Sequence, residues 1–169
     1  MKKNKIAQMG LLTAIALTIF LVEARIPALV PIPGVKLGLA NIVTVFTVFL
    51  LGAKEGAAVL ACRIFLGAVF CGNFSTIFYS GAGGLLAILT TIGLKKLLTR
   101  KQLWVAGALS AIAHSIGQMI AAVTLTRTIT LLIYLPIMVV ISIITGIFTG
   151  LCAQSLLNRG DKLWKTIFR

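Results

Sequence analysis

Residues 103–125 read LWVAGALSAIAHSIGQMIAAVTL, a run with no Asp, Glu, Lys, Arg or Pro. An α-helix rises about 1.5 Å per residue, so this run can cross the roughly 30 Å of hydrocarbon in a bilayer. Apolar runs of similar character lie on both sides of it. They cover about Ile6–Val22, Leu37–Gly52, Gly56–Gly72 and Ser75–Leu94 before it, and Thr128–Leu157 after it. Several are near the lower length limit for a span. The expectation is all-α: one integral membrane bundle of six transmembrane helices over residues 1–169.

Composition agrees. The chain is 59% hydrophobic, with a mean hydropathy of +1.09. Charged residues make up 11%, well under the roughly one quarter usual in soluble domains. Sixteen Lys and Arg face three Asp and Glu, a formal net charge of +13. A disordered basic protein is excluded by the hydropathy, and no nucleic-acid partner is expected. Cys62, Cys71 and Cys152 all fall in apolar runs without metal spacing, and are expected as small core residues. The basic start, Met1-Lys2-Lys3-Asn4-Lys5, resembles a signal peptide but is read as the flank of an uncleaved first span.

The basic residues are sorted between the connectors. With the N-terminus in the cytoplasm and six spans, twelve of the sixteen lie inside, among them Lys5, Lys54, Lys95, Lys96 and Lys101. Arg25, Lys36 and Arg127 lie outside, and Arg63 lies within a span. This is the positive-inside pattern for a bacterial-type plasma membrane protein with both termini cytoplasmic. Pro27, Pro31, Pro33 and Gly34 make the first connector irregular, either a lid or a rigid turn.

Arg63 is the first candidate for chemistry. A charge at mid-membrane is expensive and should face the bundle interior with an anionic partner. Glu23 is the acid expected near it. An Arg63–Glu23 ion pair and an anion-binding arginine are both open readings. His114 and Gln118 stand one turn apart on one helix face. They either line a ligand site or bond a neighbouring helix. Asn41, Asn73 and Tyr79 would sit near the mouth, with Arg25, Lys36, Arg127 and Tyr134 at the outer ends. This basic excess favours a small anionic ligand. Small residues recur in Ala7, Gly10 and Ala14, in Ala57 and Ala61, and in Gly146 and Gly150. They permit close helix packing or, on the first span, docking of a partner.

Catalysis by this chain alone is not expected. There is no Walker motif, and the Gly81–Gly84 run lacks the lysine and the preceding strand of a phosphate loop. No Asp-rich pair could hold magnesium on a diphosphate, since Asp161 is the single aspartate. No metal or other cofactor is implied.

Four stretches together carry a resemblance: Glu23 with Pro31–Val43, Phe78–Gly84, Ala113–Gln118, and Tyr134-Leu135-Pro136 with Ile144–Gly150. They resemble the Gx transporter family, also labelled heptaprenyl diphosphate synthase component I. Asn is common in that family where Ser115 stands here. The transporter label implies a fold like the substrate-binding S components of ECF transporters. It also implies a coupling subunit docking on the face of Ala7, Gly10 and Ala14, with separate ATPases. The synthase label implies a helper subunit for a prenyl diphosphate synthase catalytic chain in menaquinone side-chain synthesis. Membrane lipid is a partner under either label.

Overall fold

In the computed structural model the described residues are 2–26 and 36–167, with side chains described for 4–26, 36–99 and 101–158. The proline-rich connector at 27–34 lies outside them. The described residues form six α-helices and two short 3₁₀ turns, with no strand among them. The helices are α1 (Lys2–Glu23), α2 (Asn41–Leu50), α3 (Ala53–Cys71), α4 (Ser75–Leu97), α5 (Leu103–Thr126) and α6 (Leu135–Ile167).

Four stretches are long and apolar enough to cross a membrane: Asn4–Glu23, Ser75–Leu97, Leu103–Thr126 and Ile129–Asn158. The second expected span differs. Its helix has 10 residues, about 15 Å, or half the depth of a hydrocarbon core. Residues 36–38 ahead of it are not helical, and residues 39–40 form a turn. The Lys54-Glu55 turn also differs, because both residues belong to the first turn of α3. The reversal falls instead at Leu51-Gly52, where Gly52 has φ 130°, a conformation side chains rarely adopt. The last apolar stretch opens as a 3₁₀ turn over Ile129–Tyr134 before α6 begins. Pro136 falls in the first turn of α6, where a missing N–H costs nothing.

Contacts give the directions. Lys5 at the start of α1 pairs with Glu55 at the start of α3, and a Cβ on Gly67 would strike Phe20. The two helices therefore run parallel, with α2 returning between them. Thr91 meets Ser110 and Gly83 meets His114, so α4 and α5 are antiparallel. Gly107 faces Gly146 and Gly150, so α6 turns back along α5. The Gly146/Gly150 pair packs within the chain: a Cβ on Gly150 would lie 2.6 Å from Trp104 Cα.

The burial pattern is compatible with a membrane bundle. Large apolar side chains cover the outside, including Phe65, Phe70, Phe78, Leu89, Ile133 and Phe148. One apolar cluster gathers Leu12, Phe46, Val59, Leu103 and Leu157 near the end where α1 begins. Another gathers Tyr79, Met119, Ala122 and Met138 toward the opposite end. Buried polar residues, Arg63, His114, Gln118, Asn41 and Ser110 among them, lie inside the bundle as well. The cysteines depart from expectation: Cys62 is exposed on α3 and Cys71 and Cys152 are half-buried. Their apolar neighbours suit a lipid-facing surface as well as a core, which sequence alone does not separate.

Candidate functional site

The polar layer is built on one stripe of α5. Ser110, His114 and Gln118 follow at i, i+4 and i+8, and each is at most 3% exposed. Two glycines make room for the imidazole. A Cβ on Gly38 would lie 2.9 Å from His114 Cδ2, and one on Gly83 would lie 2.9 Å from both His114 Cε1 and Gln118 Cγ. Gly38 also has φ 78°, so the chain entering α2 can curl over the histidine. Gly117 in turn seats α5 on α4, where its Cβ would lie 2.5 Å from the Ala82 carbonyl oxygen.

Glu23 ends α1 at this level and is 5% exposed. Its Oε1 accepts a hydrogen bond from the Gly38 amide at 2.6 Å. The Lys36 amide donates to Gln118 Oε1 at 3.4 Å, a weak bond. The Lys36 ammonium sits over the Phe20 ring, 3.5 Å from its centroid. The Arg63 guanidinium stands over the same ring at 5.5 Å. Burial lowers the Lys36 pKa from the ordinary lysine range, and the charge of Glu23 partly offsets this.

Arg63 is 4% exposed and close enough to Glu23 for their charges to interact. No direct ion pair closes between them. Among the described residues the ion pair within 4.0 Å is Lys5–Glu55. Arg63 Nε, His114 Nδ1, Gln118 Nε2 and Asn41 Oδ1 are all buried without a hydrogen-bond partner. Native interiors rarely leave such groups unmatched, and a guanidinium and an amide nitrogen are donors only. The layer thus holds unused donors beside a net excess of cations.

The other expected residues are distributed around it. Asn41 donates through Nδ2 to Ser110 Oγ at 2.8 Å, and Ser110 also receives Thr91 Oγ1 at 3.0 Å. Asn73 is exposed just ahead of α4, its Oδ1 accepting from the Ser75 amide and hydroxyl. Tyr79 packs in the apolar cluster with Met119 and Met138. Ser115 bonds Ser142 on α6, away from His114. Ala7, Gly10 and Ala14 are exposed, and a Cβ on Gly10 would meet nothing within 4 Å.

A cleft of about 540 Å³ opens at the end where α1 and α3 finish and α4 begins. Leu21, Ala24, Arg25, Lys36, Phe70, Cys71, Asn73 and Thr76 line it. Lys36 joins the two regions, lining the cleft while its backbone reaches Gln118 and its ammonium covers Phe20. Arg63, His114 and Gln118 are not among the lining residues. Among the described residues no group of three His, Cys, Asp or Glu could hold a metal ion.

Ser110 and Thr91 had one legible signal, polar residues at helical spacing from His114 and Lys95. Phe20 had none, being one apolar residue among many. Gly38 and Gly83 belong to glycine-bearing stretches whose purpose appears only once His114 is placed between them.

No curated protein and no solved structure matches the chain significantly. The family model described as heptaprenyl diphosphate synthase component I matches residues 12–156, which include all six helices in whole or part. The chain belongs to the heptaprenyl diphosphate synthase component I family.

Proposed function

We propose that the chain is a non-catalytic membrane subunit working beside a separate prenyl diphosphate synthase catalytic chain. The family match over residues 12–156 carries this reading. The sequence supports it, since the single aspartate, Asp161, cannot supply paired magnesium-binding motifs. The subunit is one membrane domain of six helices with both termini cytoplasmic, α2 covering half the depth. Lys54, Lys95, Lys96 and Lys101 are exposed at the cytoplasmic end in that orientation and offer a basic face to an acidic partner or a diphosphate.

One observation favours a second reading, a fold and role like those of ECF S components. The unpartnered donors and the cleft lie toward the end that would face outside. A small anionic ligand would then be captured from outside for uptake. Arg63, His114 and Gln118 would hold it, Glu23 would balance Arg63, and Asn41, Asn73 and Tyr79 would flank it. A coupling subunit with ATPases would dock on the exposed face of Ala7, Gly10 and Ala14.

The test is gentle purification of the tagged chain from its native membrane, followed by mass spectrometry. The first reading expects a prenyl synthase catalytic chain in the eluate. A coupling subunit with two ATPases, and no synthase, would sink it in favour of the second.

A further inference from the structure

The layer around Phe20 carries a charge balance that the fold leaves open. Glu23 brings one negative charge, while Arg63 and Lys36 bring one positive charge each, over the same ring. With His114 counted as neutral, one positive charge stays uncompensated. Arg63 Nε and Gln118 Nε2 point at no acceptor, and both side chains are at most 4% exposed. An unmatched charge inside a membrane bundle is costly, and a bound counter-ion removes that cost. The adjoining cleft of about 540 Å³ is within the size range of small-molecule sites.

We infer that this layer, entered through the cleft beside Lys36, binds one monovalent oxyanion of the carboxylate class and rejects diphosphates. One negative charge neutralises the layer. A diphosphate carries more and would leave an excess of negative charge against Glu23 in a medium that screens poorly. Arg63 Nε and Gln118 Nε2 are each unpartnered donors of the kind a carboxylate oxygen accepts. The site is therefore separate from any diphosphate handling at the cytoplasmic face. The inference rests on the ligand-site reading of Arg63 and Gln118, not on which protein partner the chain meets.

The experiment measures the thermal unfolding midpoint of the full chain in nanodiscs of zwitterionic lipid. Butyrate and magnesium-free inorganic diphosphate are compared at fixed ionic strength. Butyrate, several-fold above its Kd, should raise the midpoint by about 2–4 °C, and diphosphate should not. Arg63→Met should abolish the butyrate shift, and Gln118→Met supplies the same readout if that variant folds poorly. Glu23→Gln keeps an acceptor for the Gly38 amide but leaves two positive charges, so the advantage of butyrate over diphosphate should shrink. Nanodiscs of anionic phosphatidylglycerol that give the same shift, lost in Arg63→Met, would overturn the carboxylate assignment in favour of a lipid phosphodiester as the anion. Diphosphate outperforming butyrate in the wild type would overturn the inference. So would the absence of any response, or an Arg63-independent one. A synthase recovered by purification from a chain with no monoanion response would leave the partner reading standing and this inference alone refuted.

Discussion

His114 keeps its place because two neighbours lack a Cβ. Gly83→Ala would press a methyl against His114 Cε1 and Gln118 Cγ, both 2.9 Å from the position it would take. Neither atom is the free end of a flexible chain, so overpacking should cost about 1–3 kcal/mol. The thermal midpoint in detergent should fall by several degrees, and any ligand response should fall with it. Arg63→Met should behave in the opposite sense. It removes a buried charge with no direct ion pair, so the folded protein should be recovered at wild-type yield or better. Size-exclusion recovery checks this, and severe loss of folded material would restore the structural ion pair. Arg63, His114 and Gln118 were legible because a polar residue in an apolar run is conspicuous. Their surroundings were not, because Phe20, Gly38 and Gly83 acquire meaning only from contacts between helices distant in sequence.

Between helices, the α5–α6 seam is closed by glycines against backbone. A Cβ on Gly146 would lie 2.7 Å from Ala108 Cα, and backbone cannot swing aside as a side chain can. Gly146→Leu should therefore separate the two helices and cost more than Gly83→Ala, read as a larger drop in thermal midpoint. Gly10→Ala, facing open space on α1, should be neutral or stabilising by up to about 1 kcal/mol, the usual helix gain over glycine. The seam between α1 and α3 adds a pH signature. The hydrogen bond from Lys5, at 2.5 Å, holds the Glu55 carboxyl below its ordinary range, ahead of the apolar stretch of α3. A depressed carboxyl contributes its stability above the unfolded-state pKa and loses it as pH falls through the folded value. Acidification below about pH 4 should thus weaken this seam. Glu55→Gln should remove that part of the pH dependence, and salt should screen it, since Lys5 is 48% exposed. Helix existence was legible from apolar runs alone, and five of the six expected stretches carry a helix of spanning or near-spanning length. The second did not, because Leu37–Ala40 reads as apolar sequence while the backbone from Lys36 onward is committed to Glu23, Gln118 and the turn into α2.

At the scale of the whole molecule, apolar side chains outside and polar groups within are compatible with a bilayer as the medium of this bundle. In the orientation proposed from the Lys and Arg distribution, the cleft would open away from the cytoplasm. In that orientation a donor-rich layer lies behind an outward-opening cleft. Cys71 lines that cleft and Cys62 sits on the exposed apolar face of α3, so the natural cysteines serve as reporters. The deciding measurement is labelling of intact cells and of inverted vesicles with a membrane-impermeant thiol reagent, with each cysteine read by mass spectrometry. Cys71 should be modified in intact cells and spared in inverted vesicles, while Cys62 should be spared in both. Modification of Cys71 only in inverted vesicles would place the cleft on the cytoplasmic side and contradict that orientation.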